Sequence, residues 1–181
     1  MNQLFVGIDI GSRNNAVYIM LPDGGKHCSF PIQNNLVGAQ TLSKRIVDAL
    51  DSYRFDNVKI GLEATSVYGD NLVCFLREDE ALARFNRKIY VLNPKQVANF
   101  KKSYADLPKT DDVDAFIVAD SIRFGRIKSA PVYMDDYRYQ ALRSLTRARF
   151  FAVQNLTREK QRFMNYLFMK CSGLAGKSVF K

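Results

Sequence analysis

Histidine occurs once, as His27, and cysteine three times, at the widely separated positions Cys28, Cys74 and Cys171. That excludes a zinc knuckle and argues against a disulfide framework, so a reducing cytosol is the expected setting. No uninterrupted apolar run approaches the ~20 residues of a membrane-spanning helix. The opening MNQLFVGIDIGSRNN has no basic region, and Asp9 interrupts its apolar stretch, so it does not read as a signal peptide. Low-complexity tracts are absent. Acids are nearly missing from the C-terminal quarter: residues 138–181 hold Glu159 against 10 Lys and Arg, whereas residues 1–137 balance 17 with 17. The net charge of +9 therefore belongs to a basic arm on a neutral body. Such an asymmetry points to a polyanion, most often nucleic acid. A merely solvated helix face is the plain alternative.

Residues 3–10, 15–21 and 26–32 are short, apolar or alternating, and read as strands. PDGG at 22–25 is a hairpin turn, because Asp-Gly supplies the positive φ angles that tight turns need. Leu36, Leu42, Ile46, Val47 and Leu50 recur at helical spacing. A strand follows at 57–64, a helix over about 68–80, and another strand at 87–93. Pro94 suits the first turn of a helix. A further helix starts near Thr110 and runs to about Phe124, with Gly125 as its stop. The order βββαβαβα predicts a five-stranded mixed sheet in an α/β fold, with helices on both faces. A linker is expected near 126–135, around Pro131. From about Asp136 to Lys170 neither proline nor glycine occurs, which predicts a long helix. Leu142, Leu145, Ala152, Leu156, Phe163 and Tyr166 fall on a heptad-like seam, interrupted by Arg149 and Glu159. Arg143, Arg147, Arg158 and Arg162 lie off that seam, where they can reach phosphates. A helix that simply packs on the body is the alternative.

Four acids stand out by position. Asp9 lies within the first strand, Glu63 closes the fourth, and Asp111 and Asp114 open the last helix of the body. In the expected sheet the first and fourth strands are parallel neighbours, so Asp9 and Glu63 approach each other. Residues at i and i+3 share a helix face, so Asp111 and Asp114 can point at that pair. Like charges repel and buried carboxylates lose hydration, which a hard divalent cation offsets. Mg²⁺ takes oxygen ligands and keeps waters that phosphate oxygens replace. Two such ions ~3.5–4 Å apart activate an attacking oxygen and stabilise a leaving one. Taken singly, these acids have plainer explanations: acids in a first turn favour the helix macrodipole, and Thr110 caps that helix. Asp112 is expected to be structural.

VGIDIGS, GLEATSVYG, LNPKQVANF and KTDDVDAF together resemble the DEDD transposases of bacterial insertion sequences, the family of Piv-type invertases and bridge-RNA-guided recombinases. The resemblance spans residues 4 to about 170. It implies a ribonuclease H-like, RuvC-like domain over residues 1–128, followed by a linker and basic coiled-coil arm over 129–181. It places the four family acids on Asp9, Glu63, Asp111 and Asp114, as Mg²⁺ ligands (Mn²⁺ as substitute) at a DNA strand-exchange site. It further implies DNA and guide RNA as partners, dimers or tetramers formed through the arm, and a cytoplasmic, nucleoid-associated protein. Family members carry a catalytic serine in a second domain beyond the arm. Ser172 and Ser178 do not stand in that serine motif, so these 181 residues are expected to be inactive alone.

Two rival classes remain open to test. Actin-like and sugar-kinase ATPases also begin with a strand like GIDIGS, but their second Asp-Gly phosphate loop has no counterpart here. A non-catalytic nucleic-acid-binding or dimerisation module would share the basic arm and leave the acids without a task.

Overall fold

Strand alternation divides the first strand, β1 (Gln3–Ile10), between two faces. Leu4, Val6, Ile8 and Ile10 enter one core, while Phe5 enters another on the opposite side. The structure, a computed structural model, describes residues 2–64, 67–104, 107–108, 110–125 and 137–174, without the side chains of 137–140. It divides into two compact units, Met1–Tyr133 and Met134–Lys181. The expected linker at 126–135 and the boundary at 128 lie outside the described residues, as does Ser178.

In the first unit β1 pairs antiparallel with β2 (Asn14–Met20), which pairs antiparallel with β3 (Lys26–Gln33). The turn between β2 and β3 is built as the Asp-Gly pair dictates. Gly24 has φ +91°, and the Gly25 N–H donates to Asp23 Oδ1 at 2.8 Å. Helix α1 (Leu36–Tyr53) follows, capped by the Asn35 side chain, which accepts from the Gly38 N–H. Strand β4 (Asn57–Glu63) then returns parallel to β1, and β5 (Asn86–Leu92) parallel to β4. The sheet order β3-β2-β1-β4-β5 is the five-stranded mixed sheet of the ribonuclease H-like fold.

Between β4 and β5 the expected single helix is broken in two, α2 (Asp70–Glu78) and α3 (Glu80–Ala83). Asp79 makes the break: its backbone leaves the helical region (ψ 118°) and its side chain caps α3 by accepting from the Leu82 N–H. Two helices follow β5, at the positions expected from Pro94 and Thr110, although the order βββαβαβα counted them as one. Asn93 caps and Pro94 opens α4 (Pro94–Lys101), and Thr110 caps α5 (Asp111–Arg123). Gly125, at φ +68°, follows the last turn of α5. Helices α1, α2 and α3 contribute to the Leu4/Val6/Ile8 core and α4 and α5 to the Phe5 core, so both faces are covered.

The second unit holds α6 (Tyr137–Lys170) and a short 3₁₀ turn, Ser172–Leu174. At 1.5 Å per residue α6 is about 50 Å long. Its seam residues Leu142, Leu145, Leu156, Phe163 and Tyr166 are 47–68 % exposed. At 3.6 residues per turn, Arg143, Arg147, Arg158 and Arg162 fall within a sector of about 100°, turned away from that seam. Arg162 pairs with Glu159 at 2.6 Å.

Candidate active site

The site begins with two missing side chains. Gly7 and Gly61 are register partners toward the C-terminal end of the parallel β1–β4 pair. A Cβ at Gly7 would stand 2.1 Å from the carbonyl oxygen of Ala115 and 2.4 Å from the backbone nitrogen of Ala119. A Cβ at Gly61 would meet Ile122 and Val118 at 3.0 and 3.1 Å. Helix α5 therefore lies against bare strand backbone. Its residues 119 and 115 sit over Gly7, so its N-terminal end runs toward the C-terminal ends of β1 and β4.

Two residues beyond each glycine, on the same sheet face, stand Asp9 and Glu63. The first turn of α5 brings Asp111 and Asp114 to the same end. Their mutual influence registers in the titration of the strand acids. Burial raises the Asp9 carboxyl above the ordinary carboxylate range, and the charges of Asp114 and then Asp111 raise it further. The Ile10 backbone N–H and Lys101 oppose that shift. Burial likewise raises Glu63, followed by the charges of Asp9 and Asp114. The four predicted acids thus form one electrostatic neighbourhood. Asp112 faces elsewhere, 3.6 Å from Lys26 Nζ.

A cation of the chain's own already sits among them. Lys101, in the last turn of α4, donates to Asp114 Oδ1 at 2.5 Å. The Tyr104 hydroxyl, just past α4, donates to Oδ2 of the buried Asp120, whose Oδ1 accepts from Arg123 Nε at 2.7 Å. Burial and then that hydrogen bond push the Tyr104 phenol up to about 12. Phe100, Tyr104 and Phe116 meet edge to face in sequence with ring centroids 5.7 Å apart, which fixes the end of α4 on α5. Sequence reasoning misses Lys101, because nothing in local spacing tells which of Lys101 and Lys102 meets an acid across a turn. It also passes over a usable signal, the shared Gly-x-acid pattern of Gly7-Ile8-Asp9 and Gly61-Leu62-Glu63.

The donor set suits a hard divalent cation: four carboxylates, oxygen only, mutually repelling. As the side chains stand, no three His, Cys, Asp or Glu among the described residues are arranged to hold a metal ion. The predicted arginines Arg143, Arg147, Arg158 and Arg162 belong to the second unit. Among the described residues no helix is long and apolar enough to cross a membrane.

A family model described as Transposase, of the DEDD IS110 type, matches residues 6–169. No curated protein sequence matches the chain. Among solved structures it is similar to Thermus thermophilus RuvC, at 13 % identity and TM-score 0.48, covering 71 % of this chain and 99 % of that one. It is also similar to T. thermophilus RuvC in complex with a Holliday junction substrate, at 13 % identity and TM-score 0.49, covering 72 % and 99 %. A third is the Fowlpox virus resolvase with substrate Holliday junction DNA, at 17 % identity and TM-score 0.40, covering 69 % and 99 %. With all three scores below 0.5, the fold assignment rests on the strand order and the family match.

Proposed function

Because the chain belongs to the DEDD transposase family of the IS110 type, we propose that Asp9, Glu63, Asp111 and Asp114 hold Mg²⁺, or Mn²⁺ in its place, at a site of DNA strand cleavage and exchange. The observation that carries this reading is that paired strands and the first turn of α5 bring four carboxylates to one end of the sheet, where burial first and then the acidic neighbours raise Asp9 and Glu63. Repulsion of that kind costs stability, and structural acids are normally arranged to avoid it. A divalent cation bound there supplies Lewis-acid polarisation of a phosphoryl oxygen and lowers the pKa of an attacking hydroxyl or water. The chain's own part is positional. Glu63 and Asp9 are fixed by paired strands, and Asp111 and Asp114 by a capped helix laid on two glycines. Lys101 holds Asp114 and partly neutralises the cluster.

The basic helix α6 supplies the electrostatic grip on nucleic acid, with Arg143, Arg147, Arg158 and Arg162 directed at phosphates. Its apolar seam joins copies of the chain into dimers or tetramers. The family resemblance adds a guide RNA to the DNA partners, and a serine nucleophile supplied from outside these residues.

A second reading, a nucleic-acid-binding module without catalysis, is favoured by one observation: Lys101 already occupies Asp114, and the acids are not gathered into a formed metal site. Titration calorimetry of Mn²⁺ against wild type, Asp9→Asn and Asp114→Asn separates the two. A metal site predicts saturable binding that either substitution weakens by ~10-fold or more. Equal, weak binding by all three proteins leaves only the second reading.

A further inference from the structure

A cleft of about 240 Å³ opens on the sheet face opposite the acids, between the N-terminal ends of α1 and α2. Five amide side chains line it: Asn15, Gln33, Asn34, Asn35 and Asn71. No charged residue does, so the cleft offers nothing to an isolated phosphate, carboxylate or metal ion. Its remaining wall is apolar, with Leu36, Leu72 and Phe75.

The amides are held in set orientations. Asn34 Nδ2 donates to the Gly11 carbonyl at 2.9 Å and the Tyr68 carbonyl at 3.1 Å, tying the segment after β1 to the segment after β4. Asn35 Nδ2 donates to Gln33 Oε1 at 2.9 Å. Asn15 is 1 % exposed, and its Oδ1 accepts from the Gly11 N–H at 3.1 Å, which fixes its amide plane. Its Nδ2 has no partner among the described residues. A buried amide N–H without an acceptor costs on the order of 1–3 kcal/mol, so the wall of the cleft keeps one unsatisfied donor.

We infer that this cleft receives a single unpaired nucleobase from a strand whose backbone passes the acid cluster. The hydrogen-bonding capacity these contacts leave over, Asn15 Nδ2 and the exposed Asn71 amide among it, suits a base edge, and Asn and Gln are side chains that read adenine. An apolar wall with an aromatic ring suits the flat face of a heterocycle. The volume lies below the ~300–1,000 Å³ of sites for drug-sized ligands, which fits a base without its sugar and phosphate. The placement also fits. Asn15 pairs with Ile10, the residue after Asp9, and Asn34 bonds the carbonyl of Gly11. Acids and cleft thus occupy one end of the sheet, on its two faces, around the same β1 exit. The inference rests on the nucleic-acid part of the proposed function and is independent of metal binding.

The test is fluorescence anisotropy of the full chain with a labelled single-stranded DNA of mixed sequence and with the same backbone made abasic, both in EDTA. Wild type should prefer the base-bearing strand by ~5-fold or more, the range of one stacked base. Leu36→Trp, at a residue 62 % exposed, fills the cleft from its mouth, and Asn71→Ala removes an exposed amide. Each should abolish that preference while duplex affinity stays at the wild-type value. Equal binding of the two strands by wild type overturns the inference, and so does a preference that survives both substitutions. Asp9→Asn, run in parallel, should keep the preference. Loss of Mn²⁺ binding in that variant bears on the acids alone, so the two readings fail separately.

Discussion

Lys101 Nζ lies 2.5 Å from Asp114 Oδ1, so the end of one helix lends a positive charge to the first turn of the next. Both side chains are about one-third exposed, which limits what the pair contributes to folding. Its larger effect is on the neighbours. The same ammonium opposes the upward shift of Asp9, and it competes with any other cation for Asp114.

Replacing it should therefore strengthen metal binding. Lys101→Met is expected to raise Mn²⁺ affinity by ~2–5-fold, the equivalent of roughly 0.5–1 kcal/mol for a partly exposed pair. It should also move the Asp9 carboxyl further upward. Calorimetry reads the first effect and carbonyl-detected NMR titration the second. Weaker Mn²⁺ binding would mean that Lys101 helps to assemble the site instead of guarding it.

Stability should fall as pH rises through the range in which the strand acids ionise. Asp9 and Glu63 are raised from ordinary values of 3.8 and 4.5. A carboxyl raised by folding binds more protons folded than unfolded. Each therefore removes stability as pH climbs from its unfolded value through its folded one. In EDTA, Asp9→Asn should melt a few degrees above wild type at about pH 7, and the gap should close toward about pH 4. Thermal unfolding across that range checks the sign. A variant less stable than wild type at neutral pH would show that the Asp9 charge is satisfied.

Gly7→Ala should be among the costlier small substitutions in the body. The new methyl meets backbone atoms of α5 at 2.1 and 2.4 Å, which cannot rotate away. Overpacking of this kind costs about 1–3 kcal/mol. Gly61→Ala meets only the side chains of Ile122 and Val118 and should cost less. Circular-dichroism melts of the two variants test the ranking, and reversal of it would contradict the close approach of α5 to Gly7.

In the arm, replacing Arg143, Arg147 and Arg158 with Gln should weaken binding to every DNA sequence. The slope of log affinity against log salt should fall by roughly 0.9 for each phosphate that is no longer neutralised. Gel shifts at several salt concentrations decide it, and an unchanged slope removes the arm from the interface.

How far the fold and site are legible in the sequence depends on how local each cause is. The parallel pairing of β1 with β4 follows from element order and chain handedness, so the approach of Asp9 to Glu63 can be read in advance. The Thr110 cap and the PDGG turn are set by neighbours a few residues away. The break at Asp79 is less visible, because the apolar periodicity around it continues and only the side-chain cap to Leu82 decides the outcome. Lys101 and Asp120 are hidden for a different reason. Their partners, Asp114 and Tyr104, lie across a tertiary contact that no short window contains. Asp120 sits inside an apolar helix face where its charge looks misplaced until Tyr104 and Arg123 are brought to it.

The bare strip at Gly7 and Gly61 works as a spacer gauge. At Gly7 helix backbone meets strand backbone with no side chain between them, and at Gly61 only Val118 and Ile122 intervene, so the height of the first turn of α5 above the sheet is set by a contact with almost no slack. Enlarging Gly7 would lift the whole rod and move Asp111 and Asp114 with it, whereas Gly61 can be answered by side-chain adjustment. The spacing of the acid cluster is thus governed by residues that contribute no functional group to it.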